Sequence, residues 1–432
     1  MAEEIKKLPL IPFHKYDIGN ITLTALISGY SKLTALCSTQ HVVLPSSDPL
    51  LNISAKKAAE ELRKRNIKSY NLITAYLKRI YDVNTYINAA TEVFEAEALQ
   101  AAKEADILLD SIRDDKEERK SFDYKGHRNV CGLNYRRDFA IADENSEAVA
   151  RVLSAGAIPI CYTNVPPGCM AFETDNPVNG CTSNPHDTRM TPGGSSGGEG
   201  ALIAAQGSLF GIGTDLGGSI RIPSALNGIY GLKASRTCPL EGHVPAVYPS
   251  KENAGLLAIG PMCRYVEDAP LLFSPIVKVE EVVREHVYFV ADYLAVEYNV
   301  DKMELDFGKD LLEIFVMFFY AYVQPHLDVL GLLNPKRKLS PFKEFFKILF
   351  QASDIAFTNL PIIYASNQSL PVETVAEAER QMKMIKKHVE DTLENNGILV
   401  FPGLPNTHYS TMLLLPRPVY TPPSSMDLAW PH

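Results

Sequence analysis

Two serines bracketed by glycine, Ser195 and Ser219, lie 24 positions apart in the segments T-P-G-G-S-S-G-G-E-G (residues 191–200) and G-I-G-T-D-L-G-G-S-I-R-I (residues 211–222). Clustered glycines accept positive φ and let backbone N–H groups converge on one concavity, which suits an anion or the oxyanion that develops on an attacked carbonyl. A serine held in such a nest is placed to act as a nucleophile. The pattern G-x-S-x-G, present at residues 193–197 and 194–198, also fits a nucleophile elbow, but that motif needs a strand directly before it. Residues 184–192 carry Pro185, Asp187, Arg189 and Pro192 and cannot supply a central strand. A phosphate-cradling P-loop is excluded because no G-K-[ST] closes either loop. Tight turns alone are the structural alternative for the glycines.

The elements that must position these loops are written in the apolar periodicity. Residues 54–65 put Ala55, Ala58, Ala59 and Leu62 on one face, and residues 69–81 repeat the pattern with Leu72, Ile73, Tyr76, Leu77 and Ile80, which predicts two amphipathic helices. A third helical stretch is expected over 90–109, running into the charged segment 113–120 as a solvated helix end or loop. From Ser146, a helix bearing Ala148, Val149, Val152 and Leu153, a stop at Gly156 and an apolar strand over 158–163 compose the αβ half of a parallel-sheet unit. A short helix over 199–206 and strands over 209–213 and 229–233 follow, so both serines fall on loops at strand and helix ends. Beyond residue 280 helices dominate. Residues 311–322 hold Ile314, Phe315, Met317, Phe318, Phe319, Tyr320 and Tyr322, while Phe342, Phe345, Phe346, Leu349 and Phe350 recur at helical spacing. Core packing is the expected role of both stripes, with a lipophilic-substrate wall or membrane-contacting face as the alternative.

With 432 residues, 46% of them apolar, the chain can bury a large core. Its 51 acidic and 42 basic residues give a net charge of −9 without a basic run, which excludes a nucleic-acid partner on electrostatic grounds and favours small neutral substrates. The ten histidines form neither H-x-x-x-H nor H-E-x-x-H, so no metal is expected. The seven cysteines lack C-x-x-C spacing and a secretory leader, and are expected as reduced thiols in the cytoplasm. Polar residues interrupt the best N-terminal apolar stretch, 21–36, so no membrane span is expected there.

Together these motifs resemble the amidase signature family. G-G-S-S-G-G-E-G and G-T-D-L-G-G-S-I-R-I-P carry the resemblance over residues 184–235, and the flanks G-A-I-P-I-C-Y-T-N (156–164) and G-P-M-C-R-Y-V-E-D (260–268) extend it to residues 53–273, about half of the chain. Within the family, T-N-V-P, C-M-A-F-E-T-D-N and R-Y-V-E-D look most like the animal fatty-acid amide hydrolase 2 branch. The resemblance implies an α/β amidase signature fold, a mixed central sheet covered by helices, here with some strands missing. It divides the chain into an N-terminal extension (1–52), a core with both serine loops (53–273), a helix-rich remainder of the same domain (274–419) and a proline-rich disordered tail (420–432).

Carried over residue by residue, the resemblance implies that Ser219 is the nucleophile and Ser195 the bridging serine, reached through a cis Gly194–Ser195 peptide. The N–H groups of Leu216, Gly217, Gly218 and Ser219 would form the oxyanion hole with Ser196 beside them. Thr214 and Asp215 would brace the loop with Arg221 as their structural partner. Met170 would line the substrate entrance, a core methionine being the alternative. The family's third member is a lysine on a G-x-P-x-x-x-K strand, which this sequence lacks: ahead of Lys125-Gly126 it reads Asp114-Asp115-Lys116-Glu117-Glu118-Arg119-Lys120-Ser121-Phe122. Lys120, 75 residues before Ser195, is the expected substitute, with Lys125 and Lys116 behind it. Its charged neighbours point to solvent and an ordinary lysine pKa of about 10.4. The later G-L-P-x-G-x-Q segment is also absent after F-P-G-L-P at 401–405. The expected function is a serine amidase that hydrolyses C–N amide bonds, those of fatty-acid amides, through an acyl-enzyme and without a cofactor. The alternative is an impaired homologue acting as a binding or regulatory protein. The expected partners are a small lipophilic amide, an intracellular membrane surface contacted peripherally, and a second copy in a homodimer.

Overall fold

The computed structural model describes residues 39–111, 127, 129–138, 142, 144–234, 257–276, 328–336, 338–350, 353–356, 359–367 and 372–393. The aromatic stripe at 311–322, the charged segment 113–120, the apolar stretch 21–36 and the tail 420–432 lie outside these residues.

Helix α1, Ala55–Arg63, starts at Ser54, whose hydroxyl accepts from Lys57 N. Its first amides, those of Ala55 and Lys56, donate to the Asp268 carboxylate at 2.8 Å each, so a residue 213 positions away completes the cap. Helix α2, Ser69–Ile87, extends past the predicted end because Val83 and Ile87 continue the buried stripe of Leu72, Tyr76, Leu77 and Ile80. It stops at Asn88, which adopts φ 46.

The expected helix over 90–109 is corrected at its start. The Asn84 side chain accepts from Ala89 N and Ala90 N at 2.7 and 2.8 Å, the chain turns extended, and strand β1, Ala90–Val93, precedes helix α3, Glu95–Ser111. Strand β1 pairs antiparallel with β2, Cys161–Thr163, which follows helix α4, Glu147–Ser154. The expected parallel αβ unit is therefore replaced by an antiparallel pair. Strand β2 also begins three residues later than predicted, at Cys161, preceded by a single bond from Phe94 N to Ile160 O at 2.9 Å.

A short hairpin of β3, Asp175–Asn176, and β4, Gly180–Cys181, precedes helix α5, Gly197–Ala204. Strand β5, Phe210–Asp215, leads to helix α6, Arg221–Asn227, and to β6, Tyr230–Gly231. Strand β7, Ala258–Cys263, lies between β5 and β6 and is antiparallel to both. Helix α7, Asp268–Ile276, packs with α4 on β7 through Ala148, Val152, Phe273 and Ile276 around Ala258 and Ile259. Met262 packs instead with Ile203 of α5 and with Ile220. Among the described residues the α/β class is thus built from small antiparallel sheets of two, two and three strands under helices.

Helices α8, Val329–Leu333, α9, Pro341–Leu349, α10, Leu360–Ser366, and α11, Val372–Leu393, complete the described chain. Val329, Leu333, Leu339, Ile355 and Ile363 pack on Leu133 and Met170. The stripe on α9 departs from the core-packing expectation. Phe345 is 5% exposed, but Phe342, Phe346 and Phe350 are 38%, 57% and 81% exposed, because α9 turns the buried Glu344 and Phe345 inward and the i, i+4, i+8 row outward. No helix among the described residues is long and apolar enough to cross a membrane.

Candidate active site

The first serine loop is held by side chains that take up its carbonyls. Thr174 Oγ1 donates to Gly193 O at 2.8 Å, Asn227 Nδ2 to Pro192 O at 2.7 Å, and Gly193 N donates to Thr191 Oγ1 at 2.9 Å. The Gly194–Ser195 peptide is cis. Glycine is required at position 194 because a Cβ would stand 2.7 Å from Ala171 O and 2.9 Å from Glu173 N, both backbone atoms. Ser195 and Ser196 are buried, at 1% and 7% exposure.

The second loop leaves the end of β5 and enters α6. Asp215, fully buried, gathers it. Its Oδ1 accepts from Gly218 N at 2.8 Å and Arg221 Nη2 at 2.9 Å, and its Oδ2 from Arg221 Nε at 2.9 Å and Ile220 N at 3.2 Å. Lys233 Nζ adds a bond to Oδ1 at 3.2 Å and another to Leu216 O at 2.9 Å. Burial works against the charged form of Asp215, but the Arg221 fork, the Lys233 charge and the Gly218 amide outweigh it and hold the carboxyl well below the usual range. The bond from Asp215 raises Arg221, whereas burial lowers Lys233 against the pull of Asp215.

The two loops meet directly: Ser196 N donates to Ser219 O at 3.1 Å. Of the four amides expected at an oxyanion hole, that of Gly218 is turned to Asp215. The amides of Leu216, Gly217 and Ser219 donate to no acceptor among the described residues.

A cavity of about 730 Å³ lies between β2 and β5. Ser195, Ser196, Glu199, Cys131 and Cys169 stand in its wall; Ser219, Leu216, Gly217, Gly218 and Met170 do not. Met170 is 9% exposed and sits in the core with Leu133 and Leu333, its carbonyl accepting from Asn359 Nδ2 at 3.2 Å. Lys120, Lys116 and Lys125 lie outside the described residues.

Sequence reading missed Lys233, Glu199 and Cys169. Lys233 follows the short strand β6, and G-L-K beside a turn gives no local sign that its amine reaches Asp215. Glu199, inside the glycine run, accepts from Thr163 Oγ1 at 2.9 Å, and burial pushes its carboxyl up to about 7. The Cys169 sulfur lies 3.5 Å from the Cys131 sulfur, and Cys169 shares the cavity wall with Ser195.

A family model for amidases matches residues 71–302, and the chain belongs to the amidase signature family. Fatty-acid amide hydrolase 2 of Homo sapiens is 37% identical over 271 residues, covering 59% of this chain and 49% of that protein, so this match spans about half of the human relative. Fatty-acid amide hydrolase 2-B of Danio rerio is 30% identical over 420 residues, covering 84% of this chain and 78% of that protein. Among solved structures, a fatty acid amide hydrolase superposes with a TM-score of 0.59 at 18% identity, over 91% of this chain and 75% of that one. A bacterial aryl acylamidase of the same family gives 0.59 at 18% identity, over 80% and 77% of the two chains. The chain is thus similar to fatty-acid amide hydrolases 2 in sequence and to amidase signature enzymes in fold.

Proposed function

We propose that this chain hydrolyses the C–N bond of fatty-acid amides through an acyl-enzyme on Ser219. The observation that carries the proposal is the nucleophile loop itself. Asp215 and Ser196 fix it on two sides while the amides of Leu216, Gly217 and Ser219 donate to no acceptor among the described residues. In this reading Ser219 Oγ attacks the carbonyl carbon, Ser195 takes its proton and passes its own to a neutral lysine, and the oxyanion receives those N–H groups. One such donor is typically worth about 3–4 kcal/mol in the transition state. The relay then returns a proton to the leaving amine, and water repeats the sequence on the acyl-enzyme. Lys120 is the lysine proposed from the sequence, and Ser195 is approachable from the cavity.

A fatty acyl group is supported by the names of the relatives, and Phe342, Phe346 and Phe350 form an exposed aromatic row. Those rings, with Lys343 and Lys347 on the same helix, support peripheral contact with a membrane surface. A fluorophosphonate probe tests the chemistry, since it needs an activated serine and an oxyanion hole. The expected adduct is on Ser219, lost in Ser219→Ala together with at least about 10⁴-fold of amide hydrolysis. A folded protein that takes no label supports the impaired homologue instead.

A further inference from the structure

Ser195 has a neighbour that the amidase reaction does not use. The segment of Cys131 and the turn at Pro167–Cys169 are laced together: Gly168 N donates to Cys131 O at 3.0 Å, and Cys131 N donates to Asn129 Oδ1 at 3.0 Å. Gly132 is required between them, since at φ 65 a Cβ would meet Val165 O at 2.9 Å. Both cysteines adopt the left-handed backbone that favours glycine, with φ 50 at Cys131 and φ 60 at Cys169. The result is two thiols with sulfurs 3.5 Å apart, both in the cavity wall that also holds Ser195.

We propose that Cys131 and Cys169 form an oxidisable dithiol, which a hydroperoxide closes to a disulfide on the wall of the cavity that reaches Ser195. The sulfurs need to approach by about 1.5 Å to reach the S–S bonding distance of about 2.0 Å. The adjoining backbones are already hydrogen-bonded, and the cavity admits a molecule as small as hydrogen peroxide. The Cys169 sulfur attacks one peroxide oxygen, giving a sulfenic acid and one water after proton transfer. The Cys131 sulfur then attacks the sulfenic sulfur, expelling the second water, so two thiols and one peroxide yield one disulfide and two waters. The roles follow from access: Cys169 is partly exposed, whereas Cys131 is buried. Hydrogen bonding to Cys169, with burial, raises the Cys131 thiol, while the same bond lowers Cys169, with burial opposing and Ser195 assisting. Closure alters the cavity wall that Cys169 shares with Ser195. Its effect on turnover rests on Ser195 acting as proposed above, whereas the cross-link does not.

In the test, the reduced full chain is exposed to graded hydrogen peroxide, blocked with N-ethylmaleimide and mapped by mass spectrometry without reduction. The expected product is a cross-linked peptide pair joining Cys131 and Cys169, lighter by two hydrogens, reversed by dithiothreitol and formed at doses that leave Cys161, Cys181 and Cys263 blocked by maleimide. In Cys131→Ala the same dose leaves Cys169 as a sulfenic acid that dimedone traps. Recovery of both residues as maleimide adducts while another cysteine oxidises overturns the proposal, as does a link that forms only in urea. Fluorophosphonate labelling of Ser219 is followed in the same samples. It is expected to fall in proportion to the cross-link and to recover with dithiothreitol. A complete cross-link with undiminished labelling overturns the coupling to Ser195. A reduced protein that never labels counts against the amidase mechanism but leaves the mapped cross-link to decide the dithiol.

Discussion

Replacing Asp215 by asparagine tests whether a buried carboxylate holds the Ser219 loop. Both of its oxygens already face donors: Gly218 N, Arg221 Nη2 and Lys233 Nζ on one side, Ile220 N and Arg221 Nε on the other. The amide NH₂ of asparagine therefore confronts an N–H whichever way it turns, and two cations lose their counter-charge. Breaking a buried ion pair by removing one partner costs about 3–5 kcal/mol. The Arg221 side chain is 49% exposed and regains water, whereas Lys233 at 24% regains less, so Asp215→Asn is expected near the lower end, at about 3 kcal/mol. Urea denaturation followed by circular dichroism reads this difference. Its pH dependence carries a sign. The native carboxyl is held below its ordinary value, so its contribution is fully present above the unfolded pKa of about 3.9 and is lost as the pH falls below that value. The gap between wild type and mutant should stay flat from about pH 5 to 8 and close only under stronger acid. Fluorophosphonate labelling of Ser219 should also fall in the folded mutant, because either Gly218 N or Ile220 N, which flank the serine, loses its acceptor oxygen. A stability loss below about 0.5 kcal/mol, as for an ordinary surface change, refutes the idea of a carboxylate-centred loop. So does a gap that closes near neutral pH.

Glu199→Gln should act in the opposite sense and in another pH window. Burial raises this carboxyl to about 7, so native stability is fully present below the unfolded pKa of about 4.3 and is lost as the pH rises to about 7. At about 1.4 kcal/mol per unit the upper bound is roughly 4 kcal/mol, reduced because Glu199 stands in the cavity wall. The glutamine protein, which keeps an acceptor for Thr163, should be more stable than wild type at pH 8 and equal to it at pH 4; parallel denaturation curves at both pH values refute this. Substituting Phe346 and Phe350 by serine should weaken sedimentation with anionic phospholipid vesicles by at least tenfold, about 0.8 kcal/mol being gained per buried CH₂-sized group, without altering circular dichroism. Unchanged partition would show that these rings do not meet lipid.

What the sequence revealed and what it hid divide by the range of the interactions involved. The helices over Ala55–Arg63 and Ser69–Ile87 were legible because Ala58, Leu72, Tyr76 and Ile80 repeat within a few residues of one another. The serine loops were legible because steric demands such as that at Gly194 leave glycine behind as a mark in the chain. Strand β1 was hidden: its residues follow a long helix, and what makes them extended is the side chain of Asn84 and a partner strand some 71 residues away, as the Thr91–Tyr162 contact measures. The brace of the candidate site was half legible. Arg221 stands six residues from Asp215, close enough to suggest a partner, but Lys233 reaches the same carboxylate from 18 residues away across β6, with no motif to mark it. The Cys131 and Cys169 pair is an extreme case, because two cysteines 38 residues apart carry no spacing signal and become chemistry only where a turn brings the second against the first. Local periodicity thus reports which faces are buried, and glycine reports where backbones crowd. The electrostatics of the loop arise from contacts that no window of the sequence contains.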